Sequence, residues 1–203
     1  MARKRKPSGQ GYKRRQINIR EPLQRFLIVC EGERTEPNYF SGFRVPSVRI
    51  KITGKGKDPL KLVNHALKLR GKNRYDQVWC VFDKDDVSPD RFNQALTLAK
   101  QHKIKAAYSN QAFELWYLLH FRYNDAALSR SDYINRLSRY LGYRYQKNDP
   151  ALYQKLLSRQ TDAIQNAARL LEQYAPPNPA ADNPSTTVHL LVQELNRFIH
   201  RHS

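Results

Sequence analysis

The sequence predicts an α/β protein in which a parallel sheet of about four strands is flanked by helices and followed by a C-terminal helical layer. Short apolar runs alternate with helical segments of 10–15 residues up to about residue 122, and beyond that point the strand signal ends. Such alternation is typical of βαβ units, whose parallel sheet is covered on both faces. We therefore predict a basic flexible arm over 1–24, an α/β domain over 25–122, and a helical region over 123–203 that packs on it.

The predicted helices begin at residues that favour helix starts, and the predicted strands are apolar and rich in β-branched and aromatic side chains. Thr35 and the pairs Asp58-Pro59 and Ser88-Pro89 fit helix starts, because short polar side chains cap free N–H groups and proline suits the first turn. The run QVWCVF is the clearest buried strand. The predicted strands span 25–30, 48–53, 77–82 and 103–109, a helix spans 113–121, and further helices cover 134–141, 164–171 and 188–199.

The chain is strongly basic, with 36 Lys and Arg against 18 Asp and Glu and a formal net charge of +18 over 203 residues. Such an excess favours polyanions, above all nucleic acid, through release of counterions. We expect the arm and a Gly- and Lys-rich loop to contact phosphates, although a solubilising tail is the alternative for the arm. The predicted nucleic-acid contacts are Arg3, Lys4, Arg5, Lys6, Lys13, Arg14, Arg15, Lys55 and Lys57.

Several classes of protein are disfavoured by the composition. No apolar run approaches the roughly 20 residues of a membrane span, and the basic N-terminus lacks the apolar segment of a signal peptide. Cys30 and Cys80 each lie in an apolar run, so we expect buried, reduced thiols in a cytoplasmic protein. Two separated cysteines and six histidines without metal-site spacing disfavour zinc, and the chain has no P-loop motif for ATP hydrolysis.

Acidic side chains follow two of the predicted strands in this otherwise basic chain. Glu31 and Gly32 come directly after the first strand, and Asp83 and Asp85 follow the third. Because parallel strands end at one edge of a sheet, Glu31 and Asp83 meet in one crevice if these two strands are neighbours. Clustered carboxylates need a cation, and Mg²⁺ or Mn²⁺ suits hard oxygen ligands and phosphate chemistry. The alternative is that these acids only end strands and cap helices.

The chain resembles two related groups of proteins in these same stretches. IVCEGE followed by VFDKD is similar to the Toprim domain, whose signature is a glutamate after the first strand and a DxD after the third. CEGERTEPNYF, VFDKDD, SNQAFELWYLLHF and NPSTTVHLLVQEL, spread over about 25–200, resemble the RloB family. The resemblance implies a Toprim-like catalytic domain in which Glu31, Asp83 and Asp85 are catalytic and bind metal. It also implies a role in restriction-linked or abortive-infection defence against phage, often beside an ATPase.

Further side chains are candidates around this centre. Glu36 and Glu114 could bind a second ion, although pairing with a helix dipole explains an acid in a first helical turn equally well. A polar pair after the fourth strand and a Pro- and Asn-rich loop before the last helix could bind phosphate or simply cap helices. The candidate site-lining residues are Gly32, Asn110, Asn183, Ser185 and Thr186.

The expected function is therefore a Mg²⁺- or Mn²⁺-dependent nuclease that uses one or two ions to cleave RNA, such as tRNA, or DNA. A non-catalytic subunit that binds nucleic acid or a partner ATPase is the first alternative. A simple basic RNA-binding protein, in which the acids only cap elements, is the second.

Overall fold

The computed structural model describes residues 24–45, 48–52 and 58–199. The predicted arm up to residue 23, with its seven candidate basic residues, and the segment with Lys55 and Lys57 lie outside these ranges. The strands are β1 (Phe26–Cys30), β2 (Val48–Ile52), β3 (Gln77–Asp83), β4 (Lys105–Asn110) and β5 (Ser185–Thr186). The helices are α1 (Thr35–Ser41), α2 (Pro59–Arg70), α3 (Pro89–Gln101), α4 (Glu114–Leu119), α5 (Arg130–Leu141), α6 (Leu152–Leu156), α7 (Gln160–Glu172) and α8 (Val188–Ile199).

The sheet has the strand order β2-β1-β3-β4-β5 and is parallel except for β5, which pairs antiparallel to the end of β4. The mixed α/β class with a mainly parallel sheet is thus confirmed, but the sheet has five strands where about four were predicted. The fifth strand is Ser185–Thr186, which the sequence suggested as a helix cap. Two polar residues after a proline carry no periodic signal, and their pairing with Ser109 and Asn110 is visible only in three dimensions.

The central strands β1 and β3 are buried on both faces, as their continuous apolar sequences predict. In β1, Phe26 and Ile28 belong to a core shared with α1, α4 and the C-terminal helices. Leu27 and Val29 point to the other face and pack with α2 and α3. The two cysteines, predicted to be buried, are inaccessible and unbridged.

Two of the three predicted helix starts are confirmed. Asp58 accepts hydrogen bonds from the backbone N–H groups of the first turn of α2, and the Ser88 hydroxyl accepts one in α3. The prediction for Thr35 is wrong, because it is the first helical residue rather than the cap. Helical hydrogen bonding begins one residue earlier, where the Asn38 N–H donates to the Arg34 carbonyl at 2.9 Å.

The helices after residue 122 pack on one face of the sheet. Leu137 of α5, Ala167 of α7 and Leu195 of α8 are fully buried in the same core as Phe26 and Ile28 of β1. The division of the chain near residue 122 stays a prediction. Within the described ranges, no helix has the length and apolar character needed to cross a membrane.

Candidate active site

Glu31 and Asp83 lie side by side at the carboxyl edge of the sheet. β1 pairs directly with β3, which confirms that the first and third strands are neighbours. The Glu31 N–H donates to the Val81 carbonyl at 2.9 Å, and the Asp83 N–H donates to Glu31 Oε2 at 3.3 Å. The ends of two hydrogen-bonded strands therefore place both carboxylates in one crevice.

A cleft of about 400 Å³ opens at this edge, and five acidic side chains that the sequence singled out line it. Glu36 and Glu114 lie in the first turns of α1 and α4 and are only 5% and 3% exposed. The Tyr145 hydroxyl donates to Glu114 Oε1 at 3.2 Å, and Lys147 Nζ lies 3.3 Å from the same oxygen. The sequence candidates lining the cleft are Glu31, Gly32, Glu36, Asp83, Asp85 and Glu114.

The environment of Asp83 opposes its ionisation. Burial raises its pKa well above the usual range, and the negative charges of Glu36, Glu114 and Glu31 raise it further. A hydrogen bond from the Phe113 N–H opposes this shift. Although the residue is only partly buried, its Oδ1 atom is enclosed and has no hydrogen-bond partner within the described part of the chain. An enclosed acceptor oxygen among like charges is poorly satisfied by the protein alone.

Glu36 shows the same electrostatic strain. Burial is the largest cause that raises its pKa to about 7, and the charge of Glu114 adds to it. Its own backbone N–H, the positive charge of Lys147 and the Gly32 N–H oppose the rise. These carboxyl groups therefore resist carrying full charge together, which is the condition that a bound cation relieves.

Gly32 is needed for the close approach of Glu36. A Cβ at position 32 would overlap with the Glu36 carboxylate, a contact that real side chains do not make. A glycine directly after a strand lets another group approach the backbone closely. In the structure the group that approaches it is the carboxylate of the neighbouring helix turn.

Asp85 lines the cleft but also forms an ion pair. Its Oδ2 contacts Arg130 Nη2 from the start of α5, and its backbone N–H donates to the Gln111 carbonyl at 3.1 Å. Across the described ranges, no three Asp, Glu, His or Cys side chains stand close enough to hold a metal ion as they are placed. The donor chemistry nevertheless fits Mg²⁺ or Mn²⁺, because all the acids offer oxygen ligands and Asp83 Oδ1 lacks a hydrogen-bond partner among the described residues. A shared ion would require these side chains to turn towards one another.

The structure does not bring four predicted residues into the cleft, and the polar groups of three of them bind elsewhere. The Asn110 amide and the Ser185 hydroxyl both donate to the Asp182 carbonyl, at 2.9 and 2.8 Å. Thr186 Oγ1 donates to the Tyr108 carbonyl at 3.0 Å, and the exposed Asn183 lies in the loop before β5. The hydroxyls and the amide thus fasten β5 and its loop to β4.

Sequence reasoning missed the basic side chains of the cleft. Arg34 lies in the turn after β1, Arg130 begins α5, and Lys147 follows α5 in the chain. Arg34 belongs to the motif CEGER, which could have drawn attention to it. Arg130 and Lys147 come from the helical region, and no spacing in the sequence links them to the acids.

Comparison with known protein families relates most of this chain to one of them. A family model described as RloB-like protein matches residues 26–195, which is most of the chain and includes every described acid of the cleft. Neither the curated proteins nor the solved structures contain a significant match. The chain therefore belongs to the family of RloB-like proteins.

Proposed function

We propose that this protein is a metal-dependent nucleic-acid phosphodiesterase of the Toprim type. It would act in the cytoplasm on RNA, such as tRNA, or on DNA, in anti-phage defence and with a partner ATPase. The observation that carries the proposal is the Asp83 carboxylate, whose Oδ1 atom is enclosed and which has Glu31, Glu36 and Glu114 as neighbours at the carboxyl edge of the sheet. A glutamate directly after β1 and a DxD that starts at the last residue of β3, on adjacent parallel strands, support the Toprim relationship.

Glu31 and Asp83 are the first residues that we assign to Mg²⁺ or Mn²⁺, and Asp85 is the third. Glu36 and Glu114 would complete the coordination of a second ion. When bound, the metal supplies charge neutralisation for a phosphoryl group and lowers the pKa of water. The chain's own carboxylates would hold this charge in place, and Glu31 would also accept or donate a proton during cleavage.

The basic side chains of the cleft would bind the phosphodiester. Arg130 pairs with Asp85 through Nη2 while its Nε is enclosed and has no hydrogen-bond partner within the described residues. Lys147 is half exposed beside Glu114, and Arg34 is exposed at the rim. A guanidinium fork can bind two phosphate oxygens at once. These three cations would orient the strand over the carboxylates.

A second candidate function follows from the ion pairs in the cleft. Asp85 is neutralised by Arg130 and Glu114 by Lys147, as expected of acids that only stabilise the fold. Under this alternative the protein is a non-catalytic subunit that binds nucleic acid or a partner ATPase.

A cleavage assay separates the two candidates. The full-length protein is incubated with tRNA, single-stranded DNA and duplex DNA, each in Mg²⁺, Mn²⁺ or EDTA, with and without a purified partner ATPase. Glu31→Gln and Asp83→Asn should abolish metal-dependent cleavage. Glu172→Gln and Asp162→Asn on the exposed face of α7 are the matched controls and should cleave normally.

The result can contradict the proposal in two ways. If no form cleaves any substrate with either metal, even with the ATPase present, the enzyme function is wrong and the non-catalytic alternative stands. If cleavage persists in both cleft variants, the chemistry occurs at another site.

A further inference from the structure

A second concave surface lies beside the helical region, away from the acids. It is a groove of about 270 Å³ between the chain that follows α4 and the outer face of α5. Its walls include Arg122 and Tyr123 after α4, and Arg136 and Tyr140 on α5. Arg136 Nη1 donates to Asn124 Oδ1 at 3.1 Å, which links the two walls. We call this surface the α5 groove.

Aromatic rings line the α5 groove and its border in an arrangement suited to stacking. The rings of Phe121 and Tyr140 are parallel within 5° with centroids 5.1 Å apart. Tyr140 remains 42% exposed, so much of its ring faces solvent although one side contacts Phe121. Arg169 lies 4.1 Å from the centre of the Tyr123 ring, and Arg159 lies 5.3 Å from that of Phe121. Exposed aromatic rings with guanidinium groups close by are typical of platforms for unpaired bases.

The positive charge of the surrounding surface favours an anionic partner. Residues 122–169 contain nine Lys and Arg against four Asp and no Glu. Arg122, Arg136, Arg159 and Arg169 are all exposed around the groove, and Asp125 is an acid in its lining. Arginine and aromatic side chains together, with few acids, match a nucleic-acid strand through phosphate contacts and base stacking.

α5 connects this groove to the acidic cleft. Arg130 begins the helix and lines the cleft, whereas Tyr140 lies ten residues later and lines the groove. Ten residues of α-helix rise about 15 Å. At about 3.4 Å per stacked nucleotide, this distance corresponds to about four or five nucleotides. A nucleic-acid strand that crosses the cleft can therefore also reach the groove over this short distance.

We propose that the α5 groove binds an unpaired nucleic-acid segment about four or five nucleotides from the phosphate held in the cleft. Tyr140 stacks on a base, while Arg122 and Arg136 bind the neighbouring phosphates. The choice of nucleic acid as partner rests on the proposed function, but binding at the groove does not require cleavage. The groove would restrict the protein to single strands, loops and ends, because bases inside a duplex cannot stack on a side chain.

Binding measured without metal tests this assignment. Fluorescence anisotropy in EDTA compares the full-length protein on labelled ten-nucleotide single strands, in RNA and DNA forms, with a duplex of the same length. Tyr140→Ala should weaken single-strand binding by about 5- to 150-fold, the range expected for loss of one stacked base, while Tyr140→Phe should bind normally. The double variant Arg122→Ala/Arg136→Ala should lower the slope of log affinity against log salt by about 1.4. Circular dichroism checks that each variant is folded.

Tyr143→Ala is the matched control, because Tyr143 is similarly exposed at 37% and also has a cation over its ring, Lys155 at 4.1 Å, but does not line the groove. It should bind like the unmodified protein. The assignment would be overturned if the Tyr140→Ala and Tyr143→Ala variants bound equally well. It would also be overturned if Tyr140→Ala lost the same affinity for the single strand as for the duplex.

The experiments can contradict the assignment of the groove and the proposed function independently of each other. If Tyr140→Ala binds normally while cleavage still depends on Glu31 and Asp83, the groove is wrong and the nuclease stands. If Tyr140→Ala loses binding but no form cleaves, the groove is right and the protein is a binding subunit. If no form binds nucleic acid, the groove assignment is overturned, and a protein partner becomes the interpretation of this surface.

Discussion

Replacing Glu36 by glutamine should make the protein more stable at neutral pH and remove part of its pH dependence. The Glu36 carboxyl is 5% exposed, beside Gly32 and facing the charge of Glu114. Burial and this neighbouring charge penalise its ionised form, so its pKa in the folded protein is about 7 against 4.5 for the ordinary group. Glutamine has nearly the same shape and carries no charge, so it avoids the penalty without opening a cavity.

The size of the effect follows from the shift of the Glu36 pKa. A rise from 4.5 to about 7 corresponds to about 3 kcal/mol, at about 1.4 kcal/mol per pH unit. Because the folded state holds the proton more tightly, its stabilisation is fully present below pH 4.5. It is lost progressively as the pH rises to about 7. The variant should therefore match the unmodified protein near pH 4 and exceed its free energy of unfolding by about 3 kcal/mol at pH 8.

Urea denaturation in EDTA at pH 4, 5, 6, 7 and 8 measures this difference. Taking the difference between Glu36→Gln and the unmodified protein at each pH cancels the general effect of the high positive charge. Glu172→Gln, an exposed glutamate at the end of α7, is the control and should give a difference near zero throughout. A constant difference between pH 4 and pH 8, or a variant that becomes relatively less stable at high pH, would refute the electrostatic account of the cleft.

Two further predictions concern the packing at and below the site. Gly32→Ala should impair metal-dependent cleavage, since the new methyl group displaces the carboxylate end of the Glu36 side chain, and should lower the free energy of unfolding by no more than about 1 kcal/mol. Gly71→Ala, where a Cβ makes ordinary contacts of 3.7 and 3.8 Å, should be close to neutral in thermal unfolding. Burial raises the pKa of Cys80 to about 12 and that of Cys30 well above its usual range. Neither thiol should react with an aromatic disulfide reagent before urea unfolds the protein, and rapid labelling of the native protein would contradict this.

The elements that sequence analysis predicted well are those whose signals are local. Asp58-Pro59 and Ser88-Pro89 mark the starts of α2 and α3, because a capping side chain and a following proline act within one helical turn. β5 was missed because its two residues have no pattern of their own and depend on β4 for their hydrogen bonds. Thr35 was misplaced because the preceding turn already supplies the first helical acceptor, the carbonyl of Arg34.

The candidate site likewise has residues that the sequence could predict and residues that it could not. Glu31 and Asp83 could be placed together because parallel strands end at one edge, and the order of the strands then decides which residues are neighbours. The partners of the acids could not be predicted. Arg130 and Lys147 reach the cleft only because α5 and the chain after it fold back onto the sheet, and no sequence spacing encodes that contact.

Arg130 and Lys147 explain how several carboxylates can share one cleft in this protein of net charge +18. Arg130 offsets Asp85 and Lys147 offsets Glu114, whereas Asp83 and Glu36 keep raised pKa values because their burial and mutual repulsion are only partly relieved. If a divalent cation and a phosphodiester enter together, the acidic and the basic side chains can leave one another and each bind one of the ligands. The carboxylates would turn to the metal while the arginine and lysine turn to the phosphate. A metal without phosphate would leave the two basic side chains competing for the same acids. The paired acids and bases of the resting cleft are thus compatible with a site for a metal and a nucleic acid in combination.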